Sequence, residues 1–200
     1  LRAFAHMELF ELFGPVIHTK ADLSKSAIAY RTAYNNVSQG FDTGETVLEN
    51  AADDLKQALT LLVNDPIRNG EIGRTEDGNT SVIDYQDVLN FRGARMNYFC
   101  VLGLMARLEM LRQNPEDAYV YATQVLKECE GIISLVDKAN IMTPSTSRIN
   151  NFSTEMLGSF YVNDLYTISG NLFGMGGRTA STTTGILIDG NRYSALERFV

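Results

Sequence analysis

The short connection at Asn114-Pro115-Glu116-Asp117 constrains the fold more than any other feature of the sequence. Asn is a preferred N-cap residue, Pro suits the first helical position, and acidic side chains favour the first turn of a helix. A long apolar helix is predicted before this connection, over residues 91–112, and a second one after it, over residues 115–130. Because so few residues join them, the two helices must run antiparallel as a helical hairpin.

The residue pattern of this hairpin also predicts how it packs. Small residues along the helix over 91–112 would let a neighbouring helix approach closely: Gly93, Ala94, Gly103 and Ala106. The inward face of the helix over 115–130 is predicted to consist of Ala118, Tyr121, Ala122, Val125 and Leu126.

Two further helices are predicted closer to the start of the chain. Residues 1–13 carry apolar side chains around most of the helix circumference and end at Gly14-Pro15, where proline cannot continue the helix. Thr43 can cap a helix over residues 46–63, in which apolar residues recur at three- and four-residue steps. Residues 16–40 between them are polar, contain two tyrosines and show no strong periodicity. The sequence therefore predicts an all-α fold.

Composition and charge exclude several classes of function. The formal net charge is −7 and no cluster of Lys and Arg occurs, which argues against a nucleic-acid-binding protein. No run of about 18 apolar residues is present, so no segment is predicted to span a bilayer.

The character of the chain changes after about residue 142. We predict a helical core over residues 1–142 and a loop-rich, candidate ligand-binding segment over residues 143–200. Residues 169–189 are rich in Gly, Ser, Thr and Asn, which is typical of a long loop, and loops on a rigid scaffold often carry recognition.

The sequence contains no recognisable catalytic or metal-binding signature, so we predict neither an enzyme nor a metal or other cofactor. His6 and His18 lack nearby nucleophile or carboxylate signatures, and His6 is interpreted as an interior histidine. Asp53 and Asp54 point about 100° apart on a helix and do not form an acid–base pair. A partner for Asp54 is expected either beside Lys56 or in an N-terminal arginine.

The two cysteines and one glycine-rich stretch have similarly plain interpretations. Cys100 and Cys129 are read as small buried side chains, with a disulfide between them as the alternative. The stretch GMGGRT at residues 174–179 lacks the Gly-Lys-Ser/Thr ending of a phosphate-binding loop and is interpreted as an ordinary loop.

Five segments in order carry a resemblance to a known family. They are Leu1-Arg2-Ala3-Phe4 running into Leu12-Phe13-Gly14-Pro15-Val16, the helix with Asp53-Asp54-Leu55, the stretch from Arg92 to Arg107, the helix with Ala118 and Ala122, and Glu155-Met156-Leu157. Together they resemble the SusD/RagB family of outer-membrane nutrient-binding lipoproteins of Bacteroidetes.

The resemblance implies a specific architecture and location. It implies an all-α, tetratricopeptide-like helical repeat scaffold with long loops, of which this chain is an incomplete portion. Helices would pack on both sides of Phe4 and Met7. The protein would be held at the surface of the outer membrane only by a lipidated cysteine preceding Leu1. It would partner a SusC-like TonB-dependent transporter, bind an oligosaccharide without cleaving it, and need no cofactor.

Candidate ligand-binding residues follow from the chemistry of sugar recognition. An aromatic face stacks on the apolar side of a sugar ring, and planar polar groups satisfy its hydroxyls. The segment over 143–200 offers such a set: Tyr161, Tyr166, Asn171, Phe173, Arg178, Arg192 and Tyr193. Tyr161 and Tyr166 could instead be core aromatics. The alternative functions are peptide capture by a protein of the same family, and an intracellular tetratricopeptide-type adaptor that binds a protein partner.

Overall fold

The computed structural model of the protein describes residues 1–70, 92, 95–134 and 155–158. This part contains the helices α1 (Arg2–Phe13), α2 (Gly44–Leu61), α3 (Tyr98–Leu111) and α4 (Pro115–Glu128), with short 3₁₀ helices at Lys20–Ser24 and Pro66–Asn69. Its β-structure is limited to one isolated antiparallel bridge between Ser26 and Thr43. The prediction of an all-α fold is therefore confirmed for the described residues.

Helices α1 and α2 form an antiparallel pair. Phe10, near the end of α1, packs so closely on Gly44 at the start of α2 that a Cβ there would lie 3.3 Å from the phenyl ring. At the other end of the pair, Arg2 contacts Asp54. Thr43 caps α2 as predicted, because its side chain accepts a hydrogen bond from the Thr46 N–H at 3.2 Å.

The hairpin of α3 and α4 is also antiparallel, as its short connection predicted. Phe99 at the start of α3 belongs to the same buried cluster as Val125 at the end of α4. The N-cap prediction for Asn114 is half right, since the helix begins at Pro115 but the Asn114 side chain makes no capping bond. Its amide instead donates to the buried carboxylate of Glu109 at 2.9 Å, which closes the turn.

Helix α3 begins at Tyr98, seven residues later than predicted. Asn97 caps it by accepting a hydrogen bond from the Cys100 N–H at 2.9 Å, and Arg92 lies outside the helix in a buried ion pair with Asp65.

Gly93 and Ala94 lie outside the described residues. The predicted close approach at Gly103 does occur, but the neighbour is the Leu157 side chain from the non-helical segment 155–158.

The predicted inward face of α4 is only partly right. Ala118 and Val125 are buried and Tyr121 is half-buried, but Ala122 is exposed and Leu126 is 68% exposed. Within the described residues α4 packs mainly on α3, and one partner helix buries only a narrow stripe of its surface.

Helix α1 buries one face and exposes the other. Ala3, His6, Met7 and Phe10 are buried, whereas Leu12 and Phe13 are each 71% exposed. Packing of helices on both sides of α1 therefore stays a prediction.

None of the helices in the described ranges is long and apolar enough to cross a membrane. The expected boundary between residues 142 and 143 lies outside the described residues.

Candidate functional site

The predicted ligand-binding residues all lie outside the described part of the chain. They are Tyr161, Tyr166, Asn171, Phe173, Arg178, Arg192 and Tyr193. Their place in the fold stays a prediction. The described residues contain a separate candidate site, which is a surface loop held by a cluster of polar side chains.

The cluster is centred on the carboxylate of Asp54. Arg2 approaches it with two parallel hydrogen bonds, from Nε to Oδ2 at 2.6 Å and from Nη2 to Oδ1 at 2.5 Å. The Tyr30 hydroxyl donates a third bond to Oδ2 at 2.7 Å. Of the two partners expected for Asp54, the N-terminal arginine is the right one, while Lys56 lies 3.5 Å from Asp53.

These contacts shift the ionisation of both acidic groups. The hydrogen bonds from Arg2 lower the pKa of Asp54 most, and the bond from Tyr30 lowers it further. Together they outweigh burial, which raises the pKa, so the pKa of Asp54 lies below its usual range. Burial and the adjacent carboxylate raise the pKa of Tyr30. At neutral pH the carboxylate is therefore ionised and the phenol keeps the proton that it donates.

His6 completes this group, which we call the Asp54 cluster (Arg2, His6, Tyr30 and Asp54). Its ring stacks on Tyr30 with centroids 4.0 Å apart and an interplanar angle of 25°. Nε2 accepts a hydrogen bond from the Arg31 N–H at 2.9 Å, so the ring proton is assigned to Nδ1, which lies 2.9 Å from the Arg2 carbonyl oxygen. His6 is 8% exposed, in agreement with its interpretation as an interior histidine.

The cluster holds a closed loop over residues 27–42. Two backbone hydrogen bonds close its neck, from the Ala27 N–H to the Asp42 carbonyl at 2.8 Å and from the Asp42 N–H to the Ile28 carbonyl at 3.1 Å. The Asp42 carboxylate also accepts a bond from the Tyr30 N–H at 2.7 Å. Compact surface loops whose ends meet in this way are frequently functional.

Side chains within the 27–42 loop fix the path of its backbone. Arg31 Nη1 donates to the Val37 carbonyl at 2.7 Å, and the Val37 N–H donates to the Asn35 side chain at 3.2 Å. Gln39 Nε2 donates to the Tyr30 carbonyl at 3.1 Å. Three apolar side chains of the loop point outward: Tyr34 is fully exposed at 108%, Phe41 is 78% exposed and Val37 is 67% exposed.

This loop was not predicted, because its residues show no helical or strand periodicity. The signal that could have found it is Tyr34 followed by two asparagines, which is the residue mixture that predicted the other set of ligand-binding residues. The contacts of Tyr30 and His6 that hold the loop join residues more than 20 positions apart and leave no local pattern.

A second surface feature is an apolar groove of about 360 Å³ along the seam of α3 and α4. Its lining consists of Ala106, Arg107, Met110, Pro115, Ala118, Tyr119 and Ala122. The Arg107 guanidinium is already bound to Glu8 at 2.6 Å and to Glu11 at 2.7 Å. The groove therefore offers few polar groups for the hydroxyls of a sugar.

The described residues contain no group of three or more His, Cys, Asp or Glu side chains placed to hold a metal ion. Cys100 and Cys129 are free thiols, as the first of their two interpretations expected. Cys129 is buried and Cys100 is half-buried, and burial raises the pKa of both.

Comparison with protein-family models, curated proteins and solved structures finds no match to this chain.

Proposed function

We propose that this chain is part of a SusD/RagB-type protein that captures an oligosaccharide at the cell surface and delivers it to a TonB-dependent transporter. The protein would be a lipoprotein of the outer membrane, and its action would be binding rather than bond cleavage. One observation carries the proposal, namely that the segments which resemble the family contact one another. Arg2 of the first segment pairs with Asp54 of the second, and Leu157 of the last lies against Gly103 of the third.

The order of the helices supports the tetratricopeptide-like part of the proposal. Two successive antiparallel pairs, α1 with α2 and α3 with α4, are joined by contacts between α2 and α3. Consecutive pairs of this kind are the unit from which helical repeat scaffolds are built.

Isothermal titration calorimetry on the full 200-residue chain tests the function. The ligands are neutral oligosaccharides of plant and host origin, with mixed-sequence peptides titrated in parallel. We expect saturable binding to at least one oligosaccharide, weakened in Phe173→Ala and Tyr193→Ala. The matched control is Phe13→Ala, because it removes an exposed ring from a described helix.

Other results would overturn parts of the proposal. Binding of peptides alone would replace glycan capture by peptide capture. An intracellular adaptor is the competing class of function, and the apolar groove between α3 and α4 favours it because such a surface suits a protein partner. The encoded residues upstream of Leu1 separate the classes: a signal peptide ending in a lipidated cysteine supports the surface location, and a cytosolic start contradicts it.

A further inference from the structure

We propose that the tip of the 27–42 loop, residues 32–40, contacts the glycan, with the Tyr34 ring stacked on the apolar face of a sugar. This inference rests on the proposed function and adds a binding element in the helical core, separate from the residues predicted in the segment over 143–200.

The outer and inner sides of the 27–42 loop differ in polarity. A single exposed aromatic residue is ordinary on a protein surface. Here three apolar side chains within eight residues, Tyr34, Val37 and Phe41, face solvent, while polar side chains of the same loop fix the backbone beneath them. Such an arrangement holds apolar surface in place for contact with a ligand.

The tip of the loop carries amide and hydroxyl groups but no charged side chain. Residues 32–40 read TAYNNVSQG and contain no Lys, Arg, Asp or Glu, in a chain that has 17 basic and 24 acidic residues. Amide and hydroxyl groups beside an aromatic ring match a neutral polyhydroxylated ligand, whereas phosphate or carboxylate ligands are usually bound by cations. Arg31, at the edge of the tip, already donates to the Val37 carbonyl.

Partly buried hydrogen bonds support the loop beneath its tip. Tyr30 is 3% exposed and bonds to Asp54, and the next residue, Arg31, donates its N–H to His6. Gln39, on the other side of the tip, donates a hydrogen bond from Nε2 to the Tyr30 carbonyl. Because these contacts order the loop before a ligand arrives, less conformational entropy is lost on binding.

The test compares Tyr34→Ala with the unchanged 200-residue chain by calorimetry. The ligands are maltoheptaose, cellohexaose, xylohexaose and a mannan hexasaccharide. For whichever of these binds the unchanged chain, we expect Tyr34→Ala to bind about tenfold more weakly, the scale of one lost aromatic contact. Tyr34→Phe should retain most of the affinity because it keeps the ring. Phe13→Ala, which removes an exposed ring from α1, should bind as the unchanged chain does. Since Tyr34 is fully exposed, its replacement does not disturb the core.

Each other outcome has a distinct meaning. Glycan binding that is equal in Tyr34→Ala and the unchanged chain overturns this inference and leaves the proposed function intact. No binding of any of the four glycans by the unchanged chain, together with silence across the wider panel, overturns both. If Tyr34→Ala keeps its glycan affinity but associates more weakly with the purified transporter, the loop is a protein contact and the glycan assignment is wrong.

Discussion

Arg2 and Asp54, 52 positions apart in the sequence, face each other through two parallel hydrogen bonds. Tyr30 bonds to the same carboxylate from the 27–42 loop. One side chain on α2 therefore joins the first turn of α1 to the base of the loop. Substitutions at Asp54 should affect both the stability of the helix pair and the position of the loop.

Asp54 should make the stability of the protein depend on acid pH. Its pKa in the folded state lies below the unfolded value of about 3.9, chiefly because Arg2 donates to the carboxylate. A group with a depressed pKa contributes stability above its unfolded pKa and loses that contribution as the pH falls through its folded pKa. We therefore expect Asp54→Asn to lower the free energy of unfolding at pH 7, and the difference from the unchanged chain to shrink below about pH 4.

Urea unfolding at a series of pH values between 2.5 and 7 measures this effect. The matched control is Asp53→Asn, the neighbouring carboxyl, whose side chain is 78% exposed and lies 3.5 Å from Lys56. It should change the unfolding free energy by less than about 0.5 kcal/mol at any pH. Equal pH profiles for the two variants would contradict the prediction.

The buried pair of Asp65 and Arg92 should be far more sensitive to substitution than the ion pairs on the surface. The Asp65 side chain is 0% exposed and accepts bonds from the Arg92 guanidinium and from the Ile67 and Tyr98 N–H groups. Asp65→Ala leaves the Arg92 charge buried without this carboxylate, which costs about 3–5 kcal/mol.

Chemical denaturation of Asp65→Ala measures that cost. The double variant Asp65→Ala with Arg92→Met removes both charges and should recover part of the lost stability. Lys56→Ala, which removes a cation at the surface, serves as the control and should change stability by about 0–1 kcal/mol. If the free-energy losses of Asp65→Ala and Arg92→Met, measured separately, simply added in the double variant, the prediction would be wrong.

Asn97 should be the most sensitive helix cap in the described residues. It is fully buried, and its amide makes three hydrogen bonds: it accepts from the Cys100 N–H and donates to the carbonyls of Arg92 at 2.9 Å and Leu157 at 2.6 Å. Asn97→Asp has nearly the same shape but turns a carboxylate oxygen toward two carbonyl oxygens. We expect a loss of about 2–4 kcal/mol in unfolding free energy.

The exposed cap of α2 provides the comparison. Thr43→Ala removes one capping bond at the surface and should cost about 1 kcal/mol. If Asn97→Asp were no more costly than Thr43→Ala by thermal unfolding, the two bonds to carbonyls would contribute nothing.

Helix ends that depend on neighbouring residues were predicted from the sequence, whereas those that depend on contacts far apart in the sequence were not. Helix α2 and the start of α4 were predicted within two residues, because a cap, a proline and a three- and four-residue apolar spacing are local signals. The start of α3 was misplaced because no proline separates residues 91–97 from the apolar helix that follows them. Asn97 begins the helix there, and its contact with Leu157, 60 positions away, cannot be read from a window of sequence.

The candidate site shows the same limit. The interior place of His6 could be inferred, and Arg2 was one of two expected partners of Asp54. That these residues meet at Tyr30 and hold the 27–42 loop depends on how α1 and α2 pack, which no local pattern records. Leu126 was assigned to the core from its spacing alone, and the number of helices around α4 decides whether that spacing buries it.

The contact between Gly103 and Leu157 should couple α3 to the segment 155–158. A Cβ at Gly103 would lie 2.8 Å from Leu157 Cδ1, so Gly103→Ala forces that side chain to move. Alanine also favours helix over glycine by about 1 kcal/mol, which opposes the clash. We expect Gly103→Ala to be neutral or destabilising alone, but stabilising by about 0.5–1 kcal/mol in a Leu157→Ala background where the space is free. A double-mutant cycle by urea unfolding measures the coupling, and strictly additive effects would mean that Leu157 does not rest on Gly103 in solution.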